Sequence, residues 1–365
     1  MKILLATGIY PPDIGGPATY VRALAEQFTE RGHEVTVVTY GEGQRGQPRQ
    51  QGQERWNVVT VGKHGGPILR WLRYARALRE HGKDADIVYA FSSVSCGMPL
   101  AFASALRAKK VLRLGGDFFW ERYTDGGGMQ SLTEWYASGH GRSALYRYVL
   151  HSFDAIVFST RFQQELYERS FKDLPRHTVI ENALPAGKPV LHQPHSPLHL
   201  LFVGRLVAFK NLLPLLRAVT DMSFVLTIVG DGPMRPQIER EVAQLGGRVT
   251  LRPPVHGEEK ARLFAEHDLL VLPSITELSP NVALEARSAG LPVLITQETG
   301  LSAALLTGMQ KALLRTPEEI GSALQRVGED YKTIATEAAS PLSERMWEHV
   351  AEEHERFFTS LPSKA

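Results

Sequence analysis

Cysteine is almost missing from this chain: Cys96 is the only one in 365 residues. No disulfide framework can hold the fold, and a reducing compartment, the cytoplasm, is the expected location. Long apolar runs are also lacking. Lys2 is followed only by the short run 3–6, which is too brief for a secretory signal core or a membrane span, and no later run reaches spanning length. Charge of one sign is absent as well, because 41 Lys and Arg against 39 Asp and Glu leave a net charge of +2. Nothing global therefore points to nucleic acid or to an acidic partner. G-x-S-x-G, C-x-x-C and G-x-x-x-x-G-K-[ST] do not occur, so three common routes to hydrolase, redox and P-loop chemistry have no support.

What remains is ordinary soluble material, 43% hydrophobic and 22% charged, in a chain long enough for two domains. Strand and helix patterns alternate through it. Residues 1–7 read as a strand and 8–16 as a loop rich in glycine and proline. A helical pattern follows, with Val21, Leu24, Ala25 and Phe28 on one face. Further strands are expected at 34–40, 56–62, 85–92, 110–114 and 155–159, and helices at 67–81, 99–108, 144–151 and 161–170. Strand, crossover helix, strand is the unit of a parallel sheet. Residues 41–55 are polar and glycine-rich and read as a mobile surface loop. Residues 115–141 form a long irregular segment, and a loop of that length inside a compact domain is usually functional or mobile.

Four prolines and no periodicity mark the stretch up to residue 198 as a linker. The expected division is a first domain at 1–184, a linker at 185–198 and a second domain at 199–340, with a last amphipathic helix at 341–360. Leu342, Met346, Val350 and Phe357 form the apolar side of that helix. The second domain repeats the alternation: strands at 199–204, 224–230 and 248–251, helices at 212–219, 234–245 and 258–267, then residues 269–295.

Those last residues, LLVLPSITELSPNVALEARSAGLPVLI, read as strand, loop, helix, turn, strand. Ser279 and Pro280 suit a helix start, the hydroxyl as cap and the proline at the first helical position. Gly290 suits the helix end. Glu277 precedes the cap, and Glu285 lies about 9 Å beyond it along the axis. Unmatched amides and the positive end of the helix dipole thus fall between two acceptors. That describes a site for an anion flanked by hydroxyl groups, such as a nucleotide-diphosphosugar. On spacing alone, solvated surface glutamates account for the same two residues more simply.

Other motifs divide into candidates and distractions. Gly204-Arg205-Leu206-Val207-Ala208-Phe209-Lys210 leaves a strand for a helix, and its two cations suit a diphosphate, Arg205 as a planar fork and Lys210 as a point charge. Two solvated cations on a loop is the plain alternative. Gly230-Asp231-Gly232-Pro233 approaches a dinucleotide fingerprint, but Arg235 stands where a third small residue belongs. Residues 139–144 fit that pattern better, yet no strand precedes them. Asp84-Ala85-Asp86 spells a metal-binding D-x-D at the amino end of a strand, the wrong end for ligand. His349 and His354 read as a solvated face rather than a zinc pair. In the helix at 67–81, Ile68, Trp71, Leu72, Ala75 and Leu78 share one face, with Arg70, Arg73 and Arg76 off it. Such a helix can lie on an anionic membrane, although every crossover helix is amphipathic.

Together these residues resemble the retaining glycosyltransferases of family 4, which have the GT-B fold. ELSPNVALE, from Glu277 to Glu285, matches the E-x7-E motif of that family, GRLVAFK its phosphate-binding loop and VGDGP a third landmark. YPPDIGGPATYV is similar to its amino-terminal glycine loop. The last helix is similar to the segment that crosses back onto the first domain. The resemblance covers nearly the whole chain and implies an α/β protein, two Rossmann-like doubly wound domains facing an interdomain cleft.

It also implies roles. Arg205 and Lys210 would neutralise a donor diphosphate, Glu285 would accept from ribose hydroxyls and Glu277 from the transferred sugar. Gly15, Gly16, Leu278, Ser279, Pro280, Asn281 and Val282 would complete the donor cradle, with no metal and no cofactor. Many relatives carry a histidine after the fifth strand. Here RLGGDFFWE puts Gly116 before Asp117, so Asp117 is expected to meet a donor or acceptor hydroxyl instead. The implied activity is metal-independent transfer of a hexosyl unit from a nucleotide-diphosphosugar to a glycan or glycolipid acceptor, in glycolipid or cell-surface polysaccharide synthesis. The enzyme would be cytoplasmic, with peripheral contact at the inner face of the membrane. A sugar-nucleotide epimerase or phosphorylase on the same fold, and a non-catalytic sugar-nucleotide-binding module, are the alternatives.

Overall fold

The computed structural model describes residues 1–13, 15–41, 54–103, 106–141, 143–184, 187–220, 222–341 and 345–362. The loop reading over 42–53, Arg142 of the 139–144 pattern and Leu342 of the last helix lie outside them. The chain divides into two compact units. The first holds Met1–Phe118, Gly139–Ala183 and Arg345–Ala365, and the second holds Phe119–Ser138 and Leu184–Glu344.

The first unit is built on a seven-stranded sheet of β1 (Lys2–Thr7), β2 (Glu34–Gly41), β3 (Asn57–Gly62), β4 (Ile87–Ala90), β5 (Lys109–Leu114), β6 (Ala155–Phe158) and β7 (Arg176–Val179). Its order is β3-β2-β1-β4-β5-β6-β7. Neighbouring strands are parallel throughout. Strands β4 and β6 are buried at every position, as unbroken apolar runs must be when helices cover both faces. Chain order then gives helices α1 (Gly16–Glu30), α2 (Gly66–Gly82), α3 (Met98–Phe102), α4 (Phe118–Asp125), α5 (Leu132–Ala137), α6 (Ala144–His151) and α7 (Arg161–Ser170).

The second unit has a six-stranded sheet of β8 (His199–Val203), β9 (Val225–Val229), β10 (Val249–Arg252), β11 (Leu269–Leu272), β12 (Val293–Thr296) and β13 (Met309–Ala312), in the order β10-β9-β8-β11-β12-β13. It is parallel too. Its helices are α8 (Leu212–Thr220), α9 (Arg235–Val242), α10 (Gly257–Glu266), α11 (Asn281–Ser288), α12 (Pro317–Glu329) and α13 (Tyr331–Ala338). Arg287 pins the last of these. It is fully buried, and its guanidinium donates to the carbonyls of Thr307, Glu337, Ala338 and Ser340. Helix α14 (Trp347–Ser360) belongs to the first unit. There Val350, Ala351 and Phe358 join the α1 core, and Arg31 donates to Glu355 at 2.7 Å.

The two doubly wound sheets are as expected, but several details differ. Strands β7 and β13 were not anticipated. Both are short edge strands, RHTV and MQKA, without an apolar run. The irregular segment contains α4 and α5, and residues 119–138 join the second unit rather than a domain ending at 184. On α2 the buried face is Tyr74, Ala75, Leu78 and Gly82. Ile68 and Leu72, expected there, are 73% and 62% exposed. The expectation of a solvated His349/His354 face fails for His354. It is fully buried, with Tyr89 Oη 3.0 Å from Nε2 and the Val350 carbonyl 2.7 Å from Nδ1. Asp86 accepts the Lys2 amide at 2.7 Å, which makes it a strand lead-in. Among the described residues, no helix is long and apolar enough to cross a membrane.

Candidate functional site

The strand order of the second sheet reverses between β8 and β11. In open parallel sheets, ligands sit outside the carboxyl ends of the strands at such a point. The loops leaving these two strands are 204–211 and 273–280, which hold most of the residues singled out above.

The first loop is shaped by its neighbour after β9. Leu206 donates its amide to the Asp231 carbonyl, and Met234 donates to the Leu206 carbonyl, both at 2.9 Å. A Cβ at Gly232 would lie 2.5 Å from the Leu206 carbonyl oxygen, and one at Gly230 would overlap the Gly204 carbonyl. The glycines of VGDGP thus permit close backbone approach and buttress the β8 loop, with no part in a dinucleotide fingerprint. A short 3-10 turn, Ala208–Lys210, follows. Asn211 ends it in the left-handed region at φ 56°, a conformation asparagine tolerates. Its side-chain amide donates to the Leu314 and Arg315 carbonyls at 2.9 and 3.1 Å, and this holds the turn that aims Lys210.

The second loop is tied to the first, since Ile275 donates to the Phe209 carbonyl at 2.8 Å. Glu277 is held by its main chain: its amide donates to the Glu298 carbonyl at 3.0 Å, and its carbonyl accepts from Gly300 at 2.8 Å. Its Oε1 accepts from Ser274 Oγ at 2.5 Å and pairs with Lys210 Nζ. The two side chains are only 14% and 6% exposed, so solvent and salt screen this pair weakly.

Helix α11 begins one residue later than the spacing suggested. Pro280 occupies the cap position without a side-chain cap bond, because a proline ring offers no oxygen to the first-turn amides. The Ser279 hydroxyl is not the cap: Oγ is buried and has no hydrogen-bond partner among the described residues. Leu278 is buried beside it, and Asn281 and Val282 form the first turn. The far end is as expected, with Gly290 at φ +88°. Gly290 donates to the Arg287 carbonyl and Leu291 to that of Ala286, which is the Schellman pattern. Glu285 lies one turn inside the helix and pairs with Lys260 of α10, both partly exposed.

The structure therefore joins Lys210 to Glu277 and gives Glu285 a cation of its own. Arg205 is exposed and has no ion pair among the described residues. Gly15, Gly16 and Asp117 belong to the first unit. Gly15 precedes α1 at the carboxyl end of β1, and its carbonyl accepts from Ala18 at 3.0 Å. Asp117 is 1% exposed and accepts from Tyr167 Oη at 2.8 Å. Sequence reasoning missed Lys260, Ser274, Thr276 and Glu298. Ser274 and Thr276 lie within the stretch it selected, but hydroxyls in a loop carry no directional signal. Among the described residues, no group of three or more His, Cys, Asp or Glu is arranged to hold a metal.

Comparison with known proteins finds glycosyltransferase families in the sequence and a shared fold among solved structures. Residues 15–183 match the family described as "Glycosyl transferase 4-like domain", and residues 197–330 match "Glycosyl transferases group 1". The chain is 26% identical to an uncharacterized glycosyltransferase of Methanocaldococcus jannaschii over 97% of its own length and 96% of that protein. Among solved structures, a sucrose-phosphate synthase from Thermosynechococcus elongatus matches with a TM-score of 0.80 at 17% identity, covering 99% of both chains. Anabaena HepE in complex with UDP-glucose matches with a TM-score of 0.71 at 16% identity, over 99% of this chain and all of that one.

Proposed function

We propose that this chain, a glycosyltransferase built on the GT-B fold, moves a hexosyl unit from a nucleotide-diphosphosugar to an acceptor hydroxyl, with retention of configuration and without a metal. The observation that carries the reading is the Lys210–Glu277 pair at the carboxyl ends of β8 and β11, beside the start of α11. An ammonium has three donors. Lys210 can therefore keep Glu277 and still offer an N–H to phosphate. Cleavage of the bond between sugar and diphosphate gathers negative charge on the leaving oxygens, and fixed cations and helix-start amides aimed there lower that barrier. Arg205 supplies the second cation. The orphaned Ser279 hydroxyl supplies a further donor. Glu277 accepts from hydroxyls of the transferred sugar, and Glu285 accepts from the ribose.

Metal independence is supported by the placement of the one D-x-D, which lies at the amino end of β4 with Asp86 committed to a backbone amide. A nucleotide-sugar donor is supported by the likeness to HepE, whose structure holds UDP-glucose. The acceptor reading, a glycan or glycolipid with peripheral membrane contact, is supported by α2. Ile68, Leu69 and Leu72 are exposed on that helix among Arg70, Arg73 and Arg76, an arrangement suited to an anionic lipid surface.

The test is a thermal-shift panel of nucleoside diphosphates and their sugars, followed by product analysis with the best donor. A ligand at a hundred times its dissociation constant stabilises by about 2.7 kcal/mol, which is readily measured. The expected product keeps the donor's anomeric configuration, and the rate survives EDTA. An inverted product, or loss of activity to EDTA with rescue by Mn²⁺, overturns those parts of the reading.

A further inference from the structure

We infer that the stretch Phe119–Ser138 belongs to the donor-site machinery, gripping both loops that carry Lys210 and Glu277, with Thr276 and Glu298 as positioning residues. The inference rests on the role proposed above for Glu277. The stretch lies between β5 and α6 of the first sheet, and both its flanks belong to the first unit, yet it packs within the second.

Three anchors hold it there. Trp120 is 3% exposed, and its ring centroid lies 5.3 Å from that of Phe209, the neighbour of Lys210. Its indole N–H donates to the Gln130 carbonyl at 3.0 Å, which sets the ring's orientation. At the second anchor, the Leu132 amide donates to Thr276 Oγ1 at 3.0 Å, and the Thr133 amide donates to Glu298 Oε1 at 3.2 Å. Thr276 Oγ1 in turn donates to Glu298 Oε1 at 2.7 Å. The third is the Arg315–Glu134 pair at 3.0 Å. The Arg315 carbonyl also accepts from the side-chain amide of Asn211, beside Lys210.

Glu298 is thus bonded on both sides of one peptide. Its carboxylate holds the Thr276 hydroxyl, and its carbonyl holds the Glu277 amide. Thr276 is buried and uses its hydroxyl as acceptor and donor at once, so its rotamer is fixed. Residue 277 inherits that constraint directly. The two amides are the first of α5, which have no acceptor within the helix, and both are given to the residues that orient Glu277.

The experiment compares Thr276→Val, which keeps shape and removes both hydrogen bonds, with Thr276→Ser, which keeps them, and with Glu298→Ala, which removes the acceptor. The expected result for Thr276→Val is a kcat about 10- to 100-fold lower, the cost of misplacing a reacting group by about an ångström. Affinity for free UDP, or for whichever nucleoside diphosphate gives the largest thermal shift, stays within about twofold, since Glu285 and Arg205 are untouched. Thr276→Ser restores the rate. Should Thr276→Val not fold, Glu298→Ala, which removes the oxygen that accepts from both Thr276 and the Thr133 amide, carries the same expectation. If Glu277→Gln abolishes transfer while the Thr276 and Glu298 variants transfer like wild type, the stretch is packing only and the inference falls. If Glu277→Gln itself transfers normally, the role of Glu277 falls first and takes the inference with it.

Discussion

Replacing Lys210 by methionine keeps the length of the side chain and removes its charge, and the consequences can be worked from the geometry. Glu277, 6% exposed, would retain only the Ser274 hydroxyl as a side-chain partner among the described residues. Removing one member of a buried ion pair costs about 3–5 kcal/mol, chiefly because the other charge is left without compensation. Lys210 is 14% exposed, so water relieves part of that burden and about 3 kcal/mol is the fitting end of the range. For a unit of this size, 1 kcal/mol moves the melting temperature by about 2–4 °C, so a fall of about 6–12 °C is expected. Adding Glu277→Gln to the lysine variant should recover most of that fall, because a neutral amide needs no cation. Turnover behaves differently. Loss of a group that stabilises the leaving charge costs about 2.7–4 kcal/mol in the transition state, or 10²–10³ in kcat, and the second substitution should not restore it. Thermal unfolding by circular dichroism without nucleotide, and initial rates at saturating donor, read the two effects separately. A lysine variant melting within about one degree of wild type would show that no buried charge had been left uncompensated. An unchanged kcat would remove Lys210 from the leaving group.

Three other outcomes are expected. Glu285→Ala should weaken nucleoside diphosphate binding, whereas Glu277→Ala should mainly slow transfer; equal effects on nucleotide affinity, measured by calorimetry, would refute that division. Burial, aided by the charge of Arg113, pushes the pKa of His354 down to about 3. The folded protein keeps this ring neutral while the unfolded chain protonates it below its ordinary range. The resulting stability is complete above pH 6.5 and is lost as pH falls toward 3, by about 1.4 kcal/mol per pH unit. Urea unfolding of wild type and His354→Gln at several pH values should show a steeper acid loss in the wild type, and parallel slopes would refute the assignment. Leu69→Glu together with Leu72→Glu on α2 should reduce co-sedimentation with anionic phosphatidylglycerol vesicles while leaving transfer to a soluble acceptor unchanged; undiminished binding would remove α2 from membrane contact.

The Lys210–Glu277 site was legible in part because its loops are marked by local chemistry. Glycine, proline and cations follow short apolar strands, and those features lie within a few residues of each other. Its weak points were equally local. Residue type alone suits Ser279 to a cap, whereas the helix starts after Pro280 and leaves that hydroxyl buried and without a partner among the described residues. Glu277 and Glu285 were each readable as surface acids, and only packing supplied Lys210 to one and Lys260 to the other. The edge strands β7 and β13 escaped notice because an edge position places few demands on apolar character. Helical periodicity puts Ile68 and Leu72 on an apolar stripe, and whether anything covers the stripe is a separate matter.

The amino-acid sequence by itself determined the alternation of strands and crossover helices, the parallel character of both sheets and the loops that carry chemistry. These depend on periodicity and on residues with special backbone preferences, both of which act over a few positions. Tertiary structure alone decided that Lys210 meets Glu277, 67 positions away, that Glu298 holds both Thr276 and the main chain of Glu277, and that Phe119–Ser138 leaves the unit of its neighbours for the other one. An apolar pattern specifies that a face must be buried. It does not specify against what, and the partners of a polar side chain are settled only when distant segments have been brought together.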